Sequence, residues 1–233
     1  PGRRPGPRSS FGTKMGDDMV TVYGRATSSN VQLVMWGAAE LGVEVERLDY
    51  GHVHGGTDTP AFRAMNPRGL VPVLRDGDLV VWESAAILRY LASVYGDGGA
   101  FWPADAAARA RVDMWAEWGK NELSQAFTVP IFWPRVRIPA KDRNEADLAA
   151  AIVAFEAQLD VLECQLEGRA FVTGEVITLA DIVVGHILFR WFTMDVPRRP
   201  RANIERYYRT LSARQAYRDH VMASYDPLRA KGA

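Results

Sequence analysis

The stretch of the chain that most constrains its fold is residues 69–91, which read GLVPVLRDGDLVVWESAAILRYL. Two β-branched runs flank Asp76-Gly77, a dipeptide typical of tight hairpins, so the runs are predicted to form antiparallel strands. Apolar residues at helical spacing begin after Ser84 and predict a helix there. Pro72 stands inside the first strand, where it removes a donor from the hydrogen-bond ladder. That proline therefore needs a structural reason.

The residues before this stretch predict a βαβ unit. Residues 19–23 and 43–50 are rich in β-branched residues, and an apolar helical stripe begins at the polar residues 28–30 and ends before Gly42. Because a helix joins the two strands, they are predicted to be parallel. A short helix is predicted at 60–65. The order βαβ, α, ββα is that of a small mixed sheet of the thioredoxin kind.

From residue 104 onward the sequence contains amphipathic helical patterns and no convincing strand. The helices are predicted at about 105–127, 142–166, 178–193, 203–211 and 214–222. The aromatic segment FTVPIFWPRVRIP is predicted to break the helical run between the first two of these. The predicted division is an arm (1–18), a sheet domain (19–95), a linker (96–103), an all-helical domain (104–226) and a tail (227–233).

Composition excludes several classes of function. Lys and Arg total 28, as do Asp and Glu, and this balance argues against a dedicated nucleic-acid-binding protein. The apolar runs are shorter than the ~20 residues of a membrane span. Cys164 is the single cysteine, so neither an intrachain disulfide nor a cysteine metal site is predicted, which suits a reducing cytoplasm. Residues 1–18 lack an apolar core and read as a disordered arm or a segment foreign to the natural chain.

Four segments, in this order and spacing, resemble soluble glutathione transferases over about residues 19–222. They are NPRGLVPVL, DGDLVVWESAAILRYL, FWPAD followed by RVDMW, and ITLADI. The chain is most similar to bacterial theta-like or beta-like members. The resemblance implies a thioredoxin-like domain that binds glutathione, an all-helical domain that forms the electrophile pocket, a cytoplasmic detoxification enzyme and a homodimer. It implies glutathione as co-substrate and no metal.

Pro72 acquires a role in this family. An X-Pro bond adopts the cis form at a cost of only ~0.5–1 kcal/mol. A cis bond would turn the N–H and C=O of Val71 outward, where an extended tripeptide could pair with them as an added strand. The resemblance implies that Val71 and Pro72 hold the cysteinyl residue of glutathione.

Glu83 and Ser84 suit the γ-glutamyl end of the same ligand. A helix N-terminus presents free N–H groups and a partial positive charge to a carboxylate, and the Ser84 hydroxyl can add a donor. The ionised Glu83 only accepts hydrogen bonds, which suits the ligand's ammonium group. The alternative is helix capping by Ser84 beside an exposed Glu83.

For the glycyl carboxylate of glutathione, Arg68 is the first candidate donor. The further candidates lie in the preceding loop and are His52, His54 and Thr57. Several theta-like relatives place a basic residue directly after the position of Arg68, where this chain has Gly69. A solvated Arg68 is the alternative.

Catalysis requires the thiolate of glutathione, because a free thiol with a pKa near 8.5 is mostly protonated at neutral pH. A hydroxyl at a helix N-terminus favours the anion. The theta-like and delta-like pattern places the catalytic serine at Ser28, with Ser29 and Asn30 as runners-up. A zeta-like pattern would favour Thr27 or Ser29, and these residues could also do no more than cap the helix.

The helical half is rich in aromatic residues, most of which are expected in its core. Those that face the first domain could line an apolar pocket for the electrophile, and Trp118, Phe127 and Trp133 are the candidates. In TLAD, Thr178 and Asp181 have the spacing of a capping box, which gives them a structural role.

The leading hypothesis is conjugation of the glutathione thiolate to a small hydrophobic electrophile. Glutathione-dependent peroxide or disulfide reduction, isomerisation and dehalogenation could use the same thiolate. Transferase-like folds also serve as non-catalytic binding or scaffold modules, which predicts a degraded ligand site. Retention of Val71-Pro72 and Glu83-Ser84 argues against that reading.

Overall fold

A four-stranded mixed sheet forms the N-terminal part of the computed structural model, which describes residues 19–230. The predicted arm, 1–18, and the end of the predicted tail, 231–233, lie outside the described residues. In chain order the strands are β1 (Val20–Tyr23), β2 (Val45–Leu48), β3 (Val73–Asp76) and β4 (Leu79–Trp82). Across the sheet their order is β2-β1-β3-β4.

Three helices accompany the sheet. They are α1 (Ser29–Glu40), α2 (Pro60–Met65) and α3 (Ser84–Val94). α1 joins β1 to β2, and these strands pair in parallel, as the sequence predicts. β3 pairs antiparallel with both β1 and β4. The predicted thioredoxin-like order βαβ-α-ββα is confirmed.

The hairpin between β3 and β4 turns one residue later than Asp76-Gly77 predicts. Asp76 remains in β3 and pairs with Leu79, so the turn consists of Gly77 and Asp78. The Asp76 carboxylate accepts hydrogen bonds of 2.6 Å from the hydroxyls of both Tyr90 and Tyr95, which hold it in the strand. Gly77 then supplies the positive φ, 57°, that the turn needs.

The rest of the described chain is helical. Its α-helices are α4 (Ala106–Trp118), α5 (Ser124–Phe127), α6 (Trp133–Arg137), α7 (Glu145–Gln165), α8 (Leu179–Gly185), α9 (Leu188–Thr193), α10 (Ala202–Ser212) and α11 (Gln215–His220). α1 packs against α3, α8 and α11, so the helical domain covers one side of the sheet domain. Between residues 19 and 230, none of the helices combines the length and apolar character needed to span a membrane.

The predicted break at FTVPIFWPRVRIP is wrong, because the helical run continues to the end of α6. Two π-helical turns, Gly119–Leu123 and Thr128–Phe132, connect α4, α5 and α6. A proline inside an α-helix loses a hydrogen bond and clashes with the preceding turn. Here Pro130 lies within the second wide turn and Pro134 lies in the first turn of α6, so both are accommodated.

The capping box is confirmed at the start of α8. The backbone N–H and hydroxyl of Thr178 donate to Asp181 Oδ2 at 2.7 and 3.0 Å. Asp181 is fully buried and also accepts from Val172 N at 2.8 Å and from the Tyr207 hydroxyl at 2.9 Å. These bonds give Thr178 and Asp181 a structural role.

Candidate active site

The loop between β1 and α1 is fixed by side chains that bind its carbonyl groups. Gln32 Nε2 donates to the Ala26 carbonyl at 3.0 Å, and Arg190 Nη2 donates to the Thr27 carbonyl at 2.9 Å. Ser28 follows at the N-cap of α1 and is 8% exposed, yet its hydroxyl accepts no bond from the first turn. The N-terminus of α1 thus carries no side-chain cap, which leaves its partial positive charge available to an anion.

Asn30, Ser84 and Lys120 bring three elements together in one hydrogen-bonded group. The Ser84 hydroxyl donates to Asn30 Oδ1 at 3.1 Å. Lys120 Nζ donates to Asn30 Oδ1 at 2.6 Å and to Ser84 Oγ at 2.9 Å. Asn30 lies on α1, Ser84 begins α3 and Lys120 lies in the first π-helical turn, so this group joins the sheet domain to the helical domain.

Lys120 is the cation of this group, and its side chain is half-buried. Burial lowers the pKa of Lys120, and the nearby carboxylates of Glu83 and Glu117 oppose that shift. A cation held in a poorly solvated cleft at the start of a helix favours a carboxylate ligand.

Beside this group lies the segment that precedes β3 and carries the proline motif. The Val71–Pro72 bond is cis, as predicted. β3 begins only at Val73, so Val71 lies outside the sheet ladder, where an extended ligand could pair with its backbone.

Glu83 connects β4 to α3 in an unusual backbone conformation. Its φ is 72°, a region that side chains other than glycine rarely adopt, and Ser84 begins α3 directly after it. Residues held in such conformations concentrate at functional sites. Glu83 Oε1 accepts a bond of 2.9 Å from Arg68 Nη1, and both side chains are exposed. Arg68 is therefore placed beside Glu83, and both side chains line the same cavity.

A cavity of about 200 Å³ connects these features. Its lining residues come from α1, the segment before β3, the start of α3 and the helical domain: Asn30, Asn66, Arg68, Leu70, Val71, Pro72, Glu83, Ser84, Lys120 and Gln125. The structure thus gathers Val71, Pro72, Glu83, Ser84, Arg68 and Asn30, as sequence reasoning expects. Ser28 lies two residues before Asn30, at the N-cap. Ser29, between these two residues, is the first residue of α1.

His54 lies in the exposed loop after β2. Its Nε2 is 3.9 Å from Asp49 Oδ1, and Arg47 Nη1 binds the same oxygen at 2.5 Å. His54 is thus on the Asp49 side of the loop. It does not line the cavity of about 200 Å³ described above.

The three aromatic candidates for an electrophile pocket have different surroundings. Phe127 is fully buried, with its ring 5.2 Å from that of Phe155, so it belongs to the helical core. Trp118 is half-buried and packs edge-on against Trp115 at 5.2 Å. Trp133 is half-buried beside Phe132, at 5.0 Å between ring centres.

Sequence reasoning missed Lys120, Arg25 and Arg190. Lys120 lies 90 residues from Asn30 in sequence, so only the tertiary fold brings the two together. A lone lysine in AEWGKNEL, at the point where the helix widens, is the signal that could have singled it out. Within residues 19–230, no group of three or more potential metal-binding side chains comes together.

The fold and cleft define a two-domain protein of the thioredoxin-like and all-helical class. The model of the glutathione S-transferase N-terminal domain matches residues 19–93, and that of the C-terminal domain matches residues 122–215. The chain belongs to the glutathione S-transferase family, which confirms the resemblance.

Relatives and solved structures agree with this assignment. Glutathione S-transferase GstB of Escherichia coli (strain K12) is 35% identical over 206 residues, which are 88% of this chain and 98% of that protein. Human glutathione S-transferase theta-1 is 37% identical over 127 residues, 53% of this chain and 52% of that protein. A theta class structure from Xanthomonas axonopodis pv. citri, with glutathione bound, is 38% identical, has a TM-score of 0.83 and aligns over 88% of this chain and 98% of its own.

Proposed function

We propose that this family member binds glutathione in the cleft around Asn30, Ser84 and Lys120 and conjugates its thiolate to a small hydrophobic electrophile. The observation that carries the proposal is the joining of these three side chains beside Val71, in a cavity of about 200 Å³. The similar Xanthomonas structure contains glutathione, which supports this choice of ligand.

The γ-glutamyl and cysteinyl parts of the tripeptide each have complementary groups in the cleft. The α3 N-terminus, Ser84 and Lys120 bind the γ-glutamyl carboxylate, and Glu83 accepts from the γ-glutamyl ammonium. Arg68 holds Glu83 in place through its bond of 2.9 Å. The backbone of Val71 pairs with the cysteinyl residue as an added strand.

The thiol is activated at the N-terminus of α1. Ser28 donates its hydroxyl to the thiolate, because this hydroxyl is not used to cap the helix. The helix N-terminus adds its partial positive charge, and both effects favour the ionised thiol. The thiolate sulfur then attacks the electrophilic carbon, a C–S bond forms, and the leaving group departs with its electron pair.

The proposal includes the cytoplasm as the compartment and a homodimer as the assembly. Glutathione keeps thiols reduced in the cytoplasm, and the single cysteine of the chain, Cys164, is exposed and free. Exposed apolar side chains on β4, α3 and α4, at Leu79, Val94 and Met114, supply surface that a second copy could cover.

The test is conjugation of glutathione to chlorodinitrobenzene by the purified protein. We expect a thioether product to form faster than without protein. Ser84→Ala should raise the KM for glutathione about tenfold, since a hydrogen bond to a charged group is worth ~1.5–3 kcal/mol. Ser93→Ala, at the far end of the same helix, is the control and should leave KM unchanged. Absence of glutathione binding by calorimetry would refute the proposal.

A further inference from the structure

Arg25, in the loop between β1 and α1, carries a charge that no carboxylate among residues 19–230 compensates. Its backbone N–H donates to the Tyr50 carbonyl at 3.2 Å, which fixes the loop. Its side-chain Nε, however, is buried and has no hydrogen-bond partner in the part of the chain that the structure describes. Buried donors are nearly always satisfied in folded proteins, so an orphaned guanidinium nitrogen indicates a missing acceptor.

The Arg25 guanidinium lies near the segment that precedes β3. A Cβ atom built on Gly51 would be 3.5 Å from Arg25 Nη1 and 3.6 Å from Val71 Cγ1, so both atoms border the same small space. A Cβ atom built on Gly24 would likewise lie 3.2 Å from Val71 Cβ. Arg25 and Val71, the residue proposed to pair with the cysteinyl part of glutathione, therefore border the same space.

A second cation, Arg137, comes from the helical domain. It is exposed at the end of α6, and its guanidinium stacks 3.9 Å from the centre of the Trp133 ring. Phe132 links this ring to the loop, because Arg190 lies 4.3 Å from the Phe132 ring and donates to the Thr27 carbonyl at 2.9 Å. The contacts of Arg190 hold the α6 region against the loop that carries Arg25.

The cations in this region act on one another. Burial and then the charge of Arg137 lower the pKa of Arg25. The pKa of His52 is lowered mainly by burial, then by the charges of Arg25 and Arg137, and least by His54. Burial and then Arg25 lower the pKa of Arg190 to about 10, against an opposing effect of Tyr225.

Asp49, a carboxylate of the adjoining loop after β2, is already bound by another cation. Asp49 accepts from Arg47 at 2.5 Å, and its pKa is lowered mainly by that bond. An anion between Arg25 and Arg137 would relieve the repulsion and supply an acceptor for Arg25 Nε.

We infer that the electrophilic substrate carries a carboxylate, which binds between Arg25 and Arg137 while the Trp133 ring packs against its apolar part. This inference rests on the proposed function. The carboxylate anchors the substrate, and the thiolate attacks its electrophilic carbon. The C–S bond forms as the carbon–halogen bond breaks, and halide leaves with the electron pair. Arg137 belongs to the helical domain and stacks on a candidate pocket residue, which favours the electrophile over glutathione as the source of the carboxylate.

The test uses two electrophiles that differ only in charge. One is chlorodinitrobenzoate, with chlorine para to the carboxylate, and the other is the matching benzamide. Each catalysed rate is divided by its uncatalysed rate with glutathione. The native protein should prefer the benzoate by about tenfold or more in kcat/KM, as expected for charge-assisted hydrogen bonds. Arg25→Gln and Arg137→Gln should each bring the benzoate-to-benzamide ratio of corrected kcat/KM values close to one. Arg25→Lys should retain part of the preference for the benzoate.

Arg75→Gln, which removes a positive charge exposed on β3, is the control and should leave the ratio unchanged. Conjugation of the amide without preference for the benzoate would overturn the inference while the proposed function stands. Failure to conjugate either compound would overturn both.

A third arm compares glutathione with its glycyl ethyl ester. If Arg25→Gln removed a preference for free glutathione over the ester and left the benzoate ratio intact, the cations would serve the glycyl carboxylate. That result would also overturn the inference.

Discussion

At the scale of single residues, Lys120 completes the hydrogen-bonded group on which the proposed glutathione site rests. The sequence identifies Glu83 and Ser84 because they adjoin a recognisable helix start, where the required chemistry is local. Lys120 could not be found in this way, since its partners are distant in sequence and only the packing of α1, α3 and α4 brings them together. The site predicted from sequence therefore lacked Lys120.

Lys120→Met should raise the KM for glutathione about tenfold and lower kcat less. The change removes a charge-assisted donor to the γ-glutamyl carboxylate, and such a bond is worth ~1.5–3 kcal/mol. Steady-state kinetics with chlorodinitrobenzene measures the effect. Lys141→Met, at an exposed position of the helical domain, is the control. An unchanged KM in Lys120→Met would exclude Lys120 from the binding site.

At the scale of secondary-structure elements, sequence patterns locate helices and strands but misjudge their ends. Asp76 stays in β3 because two tyrosine hydroxyls bind it, and neither tyrosine is near it in sequence. Prolines at 130 and 134 predicted a break, yet wide helical turns accommodate them. The capping box at α8 was predictable, because both of its residues lie within one turn.

Thr178→Val should lower the free energy of unfolding by about 1–2 kcal/mol, the usual effect of losing a helix cap. Thr178 is 4% exposed, and valine fills the same volume without a hydroxyl for Asp181. Urea denaturation measures the change. Thr210→Val is the matched control, since that hydroxyl binds a carbonyl of its own helix, and it should have a smaller effect. Equal losses of unfolding free energy in the two variants would show that the cap of α8 stabilises the protein no more than an ordinary hydroxyl bond within a helix.

At the scale of the whole molecule, the cleft exists because two domains of different architecture share a core and a polar contact. Glu40, at the end of α1, accepts from Trp36 Nε1 at 2.9 Å and from Arg214 Nε at 2.7 Å. Its side chain is 6% exposed and that of Arg214 35%. Because Ser28 and Asn30 lie at the start of α1, this contact at the far end of the helix holds their helix against the helical domain.

Arg214→Met should lower the free energy of unfolding by about 2–4 kcal/mol, because it leaves the buried charge of Glu40 without its cation. Tryptophan fluorescence and far-ultraviolet circular dichroism in urea measure the change, and the two transitions should coincide in the native protein. The double variant with Glu40→Gln should recover part of the loss. Arg218→Met, exposed on α11, is the control. No loss in Arg214→Met would show that the contact does not hold the domains together.

The central claim is that the N-terminus of α1 ionises the thiol of bound glutathione, and a pH titration of ultraviolet thiolate absorbance tests it most directly. In the native protein the pKa of the bound thiol should lie about 1–2 units below the value near 8.5 of a free thiol. Ser28→Ala should return it toward that value, whereas Asn30→Ala should weaken binding more than it moves the pKa. A bound thiol that titrates like free glutathione would contradict the account.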